Sequence, residues 1–424
     1  MSNTPPTSRR HFLAAVATSV SAPLILSRAA GARPEPSNRL TMGLIGCGGM
    51  GRANLHEFLR QPDVQVVAVC DPDRTRRDET ARDVDTFYGT SGCASYNDFR
   101  DLLARDDIDA VIQATPDHWH GLIVVHAARA GKDIYGEKPL SLTIDQGRAM
   151  VNAVRRHGRV FQTGSQQRSD GRFRAACELV RNGRIGRVHH VTCGLPTTPT
   201  APNMPALPVP DGFDYDLWLG PAPFEPYCER RTHWDFRWIL DYSGGQVTDS
   251  GAHHIDIAHW GLGLETTGPT RVAGRGDFPD DGLFDTATNF DFTASYASGV
   301  EIRVTNDFEN GVKWEGDDGW IFVSRSRIDA SDPRILREQI RPNEVNLPRV
   351  SSHRRNFLDC VRSRRAPIAP IEHAHRTISV SHLGNIAMML GRPVRWNPDT
   401  EQFIDDASAD RLRDRPMRGD WRLD

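Results

Sequence analysis

Nowhere in the 424 residues does an apolar run approach the roughly 20 residues a membrane-spanning helix requires, which excludes membrane insertion by that route. Strong charge of one sign is missing as well. The formal net charge is −3, and no dense basic stripe runs through the body of the chain, so nucleic acid is not an expected partner. Closely spaced cysteines are also absent. The seven cysteines (47, 70, 93, 177, 193, 228 and 360) are odd in number and widely separated, unlike a disulfide framework or a zinc site. Internal repeats and low-complexity tracts are lacking, apart from one proline-rich arm. What remains is an ordinary globular composition, 38% hydrophobic and 25% charged. The length suits two domains of roughly 100–200 residues each.

Residues 1–32 differ in character. Ser8-Arg9-Arg10-His11-Phe12-Leu13 is a twin-arginine pattern, followed by an apolar stretch from Ala14 to Leu26 and the small residues Ala30-Gly31-Ala32. This order predicts a twin-arginine signal peptide and an exported, periplasmic or extracytoplasmic protein. Residues 33–39 read as a linker.

From Leu40 onward, short apolar runs alternate with helical stretches. Strands are expected at 40–45, 64–70, 110–114, 133–135 and 160–163, and helices at 51–60, 120–130 and 144–157. Such alternation predicts a doubly wound parallel sheet over residues 40–164, with helices on both faces. Residues 165–424 read as a second α/β domain on a largely antiparallel open sheet. Its expected strands lie at 188–194, 289–296, 300–305, 311–315 and 319–324, and its helices at 172–182, 351–363 and 373–391. Between them, the prolines at 196–210 predict a surface arm or lid.

Gly46-Cys47-Gly48-Gly49-Met50-Gly51 fits G-x-G-x-x-G between a predicted strand and helix, a turn that brings a pyrophosphate to a helix N-terminus. Asp71, ending the next strand, would accept hydrogen bonds from an adenosine ribose and favour NAD over NADP. Arg74, Arg76 and Arg77 leave room for NADP. Thr115, Asp117 and His120 lie in the turn after the strand at 110–114, at the crevice where a nicotinamide and its ribose would sit. Gly136-Glu137-Lys138-Pro139 ends another strand, which puts Lys138 in the same crevice.

The densest polar constellation is Gly244 to Asp256. Asp249, His253 and Asp256 stand at i, i+4 and i+7, so on one helix they share a face. An imidazole beside a carboxylate makes a general base with an orienting partner. Competing readings make Asp249 a helix cap, turn His254 to solvent, or take His253, Asp256 and His259 as metal ligands. Hydride transfer needs a proton acceptor and no metal, so no metal is expected. Trp119, Arg168, Trp234, Arg237, Trp238 and His254 are candidate substrate contacts, because tryptophan faces with cationic donors suit sugar rings.

Together, Gly46–Gly51, Asp71, Thr115–His120, Glu137–Pro139 and Asp249–Asp256 resemble the Gfo/Idh/MocA oxidoreductases, which include glucose–fructose oxidoreductase and inositol dehydrogenase. The resemblance implies a Rossmann domain and a C-terminal α/β domain whose open sheet often mediates homo-oligomers. It implies Lys138, Asp249 and His253 as the catalytic trio, and Thr115, Asp117, His120 and Glu137 as cofactor-side positions. The expected reaction is hydride transfer between a bound NAD(P) and a secondary alcohol of a sugar or cyclitol. An NAD-dependent glycosidase or lyase working through a 3-keto intermediate is the alternative. Gln246, near the position of a third glycine in many members, and the proline-rich arm depart from the pattern.

Overall fold

The computed structural model describes residues 38–423. The twin-arginine segment and linker residues 33–37 lie outside the described residues. Six strands, β1 (Leu40–Ile45), β2 (Val64–Cys70), β3 (Ala94–Tyr96), β4 (Ala110–Gln113), β5 (Asp133–Gly136) and β6 (Phe161–Thr163), form one parallel sheet. Their order is β3-β2-β1-β4-β5-β6, so the chain reverses direction between β1 and β4. The crevice outside the carboxyl ends of those two strands is where such a sheet binds its ligand. Helices cover both faces, and accordingly β4 and β5 are buried at every position. Two helices flanking β2 and β5 start on side-chain caps. Asp73 accepts from the Thr75 and Arg76 amides, and Thr143 accepts from Gln146. The helix at Arg74–Tyr88 and strand β3 were not anticipated. The helix has a weak apolar stripe, and β3 has only three residues.

The second sheet has nine strands: β7 (Val188–Gly194), β8 (Arg271–Asp277), β9 (Asn289–Ser295), β10 (Glu301–Thr305), β11 (Gly311–Gly316), β12 (Gly319–Val323), β13 (Ile328–Ala330), β14 (Val394–Asn397) and β15 (Gln402–Phe403). The order is β13-β12-β11-β7-β10-β9-β8-β14-β15, and every pair is antiparallel except β7 with β10. In β9, Phe290, Phe292 and Ala294 point to the core while Asp291, Thr293 and Ser295 stay on the outer side. Two helices back this sheet, Gly251–Leu262 and Ile371–Leu390, each buried along almost its whole length.

The second half of the chain also returns to the first domain. Phe357, Leu358, Cys360 and Val361 join the core formed by Leu55, Phe58 and Tyr135. The tail follows suit, with Trp421 edge-on to Trp119 at 4.9 Å and Arg129 donating to the Leu423 carbonyl at 2.9 Å. Residues 201–242 build a separate aromatic lobe around Phe213, Tyr215, Trp218, Trp238 and Tyr242.

Candidate active site

The glycine turn leaves β1 with Gly46 at φ +95°, a left-handed conformation that side chains resist. A Cβ there would meet the Ala114 carbonyl oxygen at 2.5 Å, and one on Gly51 would meet the Gly46 oxygen at 1.9 Å. Turn and helix therefore pack backbone to backbone, and Gly49 keeps open space above it. Asp71, one residue past β2, accepts from the Cys47 amide at 2.7 Å and from the Asp73 amide at 2.9 Å. Burial pushes its carboxyl up to about 6. A cavity of about 540 Å³ runs from this turn and Asp71 to Lys138 and Asp249, passing Thr115 and Asp117. A glycine-rich turn, an acidic residue for a ribose and an elongated cavity together fit a dinucleotide.

Lys138 lies two residues past the end of β5, and its peptide to Pro139 is cis. The ammonium donates to Asp249 Oδ1 at 2.5 Å and to the Asp249 carbonyl at 3.2 Å, joining the first domain to the second. Burial alone would raise the Asp249 carboxyl, but Lys138 and Arg237 beside it hold it below its ordinary value. Arg237 Nε stands 3.7 Å from the same oxygen. Around the lysine, Glu137 accepts from Asn54 Nδ2 at 2.7 Å and from the Lys138 amide at 3.3 Å. Asn54 in turn accepts from Arg354 at 2.5 Å. His120 faces the Pro139 carbonyl at 2.7 Å and the Thr115 carbonyl at 2.9 Å. It is buried behind the cavity wall, where it pins two strand ends rather than facing a cofactor. Asp117 lines the cavity and accepts from Ser243 Oγ at 2.5 Å.

The single helix expected to carry Asp249, His253 and Asp256 is interrupted, which leaves only His253 and Asp256 on one helix. One short helix ends at Asp249, a second begins at Gly251, and Ser250 forms a turn between them. Asp249 goes to Lys138. His253, 7% exposed, is outside the cavity lining, and its buried Nδ1 has no hydrogen-bond partner among the described residues. Asp249 therefore does not orient the imidazole. Burial, followed by the nearby Lys138 and Arg325 cations, holds His253 well below its ordinary pKa and so neutral. Asp256 lies deeper, in a two-pronged ion pair with Arg168 at 2.7 and 2.8 Å. His259 Nε2 meets the Tyr296 hydroxyl at 2.6 Å. Among the described residues no three acidic, histidine or cysteine side chains are grouped to hold a metal.

Of the expected substrate contacts, Trp119, Trp234 and Arg237 line the cavity. Arg168 does not, being sealed against Asp256 with Trp260 under its guanidinium at 5.2 Å. Trp238 belongs to the core of the aromatic lobe. His254 is buried with Nε2 at 2.6 Å from Asn310 Oδ1. Sequence reasoning missed Asn97 and Trp218, which also line the cavity. Asn97 follows β3 at the carboxyl edge of the sheet, a position that could have flagged it. Nothing local marked Trp218.

The aromatic lobe spans this cavity as a strap. At one end the Arg74 amide donates to the Gly212 carbonyl at 2.9 Å, the Asp214 amide to the Pro72 carbonyl at 3.0 Å, and Asn97 to Asp214 at 2.7 Å. At the other, ring nitrogens of His118 and Trp119 both lie 2.9 Å from the Trp218 carbonyl.

A six-stranded dinucleotide-binding sheet that meets a second α/β domain across a Lys138–Asp249 contact defines a two-domain oxidoreductase. Residues 40–165 match the Gfo/Idh/MocA oxidoreductase family's NAD-binding Rossmann fold, and residues 199–423 match its C-terminal alpha/beta domain. The chain belongs to that family, and its first domain is an NAD-binding domain. It is 25% identical to scyllo-inositol 2-dehydrogenase (NAD(+)) of Bacillus subtilis over 84% of this chain and 96% of the relative. A glycosyl hydrolase family 109 protein of Shewanella pealeana is 31% identical over 35% of this chain and 37% of its own length. The chain spans about half the length of several other curated relatives, inositol 2-dehydrogenases among them. The fold is similar to that of aldose-aldose oxidoreductase from Caulobacter crescentus, with TM-score 0.62 and 20% identity over 84% of this chain and 99% of that one.

Proposed function

We propose that the protein reversibly oxidises a secondary alcohol of a sugar or cyclitol with an NAD that stays bound between turnovers. One observation carries the reading. Lys138, fixed by Asp249 at 2.5 Å, lines the same cavity as the glycine turn and Asp71. Bound nicotinamide supplies the hydride acceptor. Lys138 donates a hydrogen bond to the reacting oxygen and stabilises the charge that develops there. Asp249 holds the ammonium in place and keeps its charge local. His253, held neutral, is assigned the hydroxyl proton on the family resemblance alone, because it stands outside the cavity lining. Inositol dehydrogenase relatives support the substrate class.

Two features support a retained cofactor. The strap of residues 212–218 covers the crevice from Pro72 to Trp119. The twin arginines Arg9 and Arg10 point to export of a folded protein into a compartment where free NAD is scarce. NAD rather than NADP follows from the carboxylate of Asp71, which would repel a 2′-phosphate. Assembly into a homo-oligomer through the outer face of the nine-stranded sheet belongs to the same reading.

The glycosyl hydrolase family 109 relatives favour a second reading, glycoside cleavage through transient oxidation to a 3-keto sugar. One experiment separates the two. The protein is purified without added cofactor, and its reduced-nicotinamide absorbance is followed as free sugars and glycosides are added. Stoichiometric reduction by a free sugar, reversed by a carbonyl compound, supports the oxidoreductase. Glycoside cleavage with no net absorbance change supports the alternative, and a protein devoid of cofactor contradicts retention.

A further inference from the structure

Asp249, Glu137 and Asp117 line the Lys138 end of the cavity, and the first two are already engaged. Asp249 accepts from Lys138 at 2.5 Å and has Arg237 Nε at 3.7 Å. Glu137 gives one oxygen to Asn54 Nδ2 and the other to the Lys138 amide. Asp117 differs. Its Oδ2 accepts from Ser243 Oγ at 2.5 Å, whereas Oδ1 has no hydrogen-bond partner among the described residues and stays open at the cavity wall. His120, Arg237 and Asp249 act on this carboxyl without an ion pair to it.

Asp117 and Lys138 flank one space. They follow β4 and β5, adjacent parallel strands in which Gln113 is paired with Gly136. Their partners in the second domain, Ser243 and Asp249, belong to one compact stretch. The Gly244 amide donates to Thr248 Oγ1 at 3.1 Å within it, and the Gly245 amide ties it to the Arg237 carbonyl at 3.1 Å. An alcohol held by Lys138 therefore has the open oxygen of Asp117 beside it.

We propose that Asp117 Oδ1 receives the hydroxyl proton of the substrate, an inference that rests on the oxidoreductase reading and changes only the proton acceptor named there. As hydride leaves the carbinol carbon for the nicotinamide, the C–O bond becomes a carbonyl. The O–H proton passes to Oδ1, which leaves a neutral carboxyl still bonded to Ser243. The reverse reaction returns that proton. Lys138 keeps its own proton throughout and stabilises the oxygen.

The surroundings separate the acids to match. Burial of Asp249 is outweighed by Lys138 and Arg237, which hold it low and ionised. Burial raises Asp117 in spite of His120, Ser243 and Arg237. Carboxyls pushed apart within one site take different roles, here a fixed counter-ion and a proton acceptor. His253 stands outside the cavity lining, and burial holds it well below its ordinary value, which makes it a weak acceptor.

The first test needs no substrate. Infrared difference spectra of the NADH-loaded protein against Asp117→Asn are expected to show a protonated carboxyl that grows as pH falls, with a midpoint above the ordinary aspartate value of about 4. A midpoint at or below about 4, or no such carboxyl, overturns the inference. The second test follows kcat/KM against pH with myo-inositol, scyllo-inositol and glucose. Asp117→Asn is expected to lose about 10²–10⁴ in turnover at saturating NAD. Ser243→Ala removes a bond that favours the ionised carboxyl, so the acid limb is expected to move to higher pH. This shift decides the matter if Asp117→Asn does not fold. An acid limb that persists in Asp117→Asn, or vanishes only in His253→Ala, overturns the assignment. So does an Asp117→Asn protein whose sole defect is weaker NAD binding. If none of the three alcohols is oxidised and the infrared midpoint is as expected, the result counts against the sugar or cyclitol reading alone.

Discussion

Lys138 and Asp249 are 111 residues apart in the chain and belong to different domains, yet their charged groups meet at 2.5 Å in a cleft where both are mostly buried. This contact fixes the lysine where the cavity turns from the NAD-binding domain toward the second sheet. Asp249→Asn keeps the shape and removes the charge. The expected result is a loss of turnover of about 10² or more, because Lys138 is no longer held, with NAD affinity changed little. Steady-state kinetics beside a cofactor titration measure both.

On the proposal that NAD stays bound between turnovers, the strap is the element expected to hold it. Asp214 caps the strap's short helix by accepting from the Leu217 amide at 3.0 Å, and it also accepts from Asn97. Asp214→Ala breaks both bonds without touching the glycine turn. Release of NADH, followed by fluorescence after mixing with excess NAD, is expected to accelerate about ten-fold or more. An unchanged release rate would show that the strap does not hold the cofactor.

Asp71 makes cofactor binding pH-dependent. Its carboxyl is pushed up to about 6 by burial, whereas the unfolded chain releases this proton near 4. The folded protein thus binds the extra proton between those values, and this group's contribution to stability declines as pH rises through that window. Ribose hydroxyls would donate to the ionised carboxylate, so NAD binding is expected to expel the proton. Affinity should weaken toward about ten-fold per pH unit below about pH 6 and level off above it. Calorimetric titrations at a series of pH values test this, with Asp71→Asn expected to bind weakly and without the slope.

Asp256 and Arg168 read as site residues in the sequence and prove to be a buried ion pair. Asp256→Ala leaves the guanidinium of Arg168 without its carboxylate inside the core. The expected cost is about 3–5 kcal/mol of folding stability. Urea unfolding measures it, and a variant as stable as wild type would return these residues to consideration as functional.

The first domain was legible because its signals are local. A glycine turn, an acidic residue at the end of the next strand and alternating strands and helices are all written within short windows. Lys138 was legible for the same reason, as a residue just past a strand end. Relations between distant segments were not. Spacing put Asp249 and His253 on one helix face, but the turn at Ser250 sends Asp249 to the lysine. The sequence marked residues 351–363 as a helix without saying that Phe357 packs against Phe58 and Tyr135 of the first domain. The proline-rich arm announced a surface excursion. The strap that follows it reaches Arg74 and Pro72 through the backbone of Gly212 and Asp214, groups that carry no sequence signature.

The most direct test of the account is the turnover of Lys138→Met, measured with NAD affinity on the same preparation. The substitution is expected to lose about 10²–10⁴ in turnover with NAD still bound nearly as tightly as by wild type. Near-normal turnover would contradict it, because the ammonium that Asp249 holds would then have no part in the chemistry.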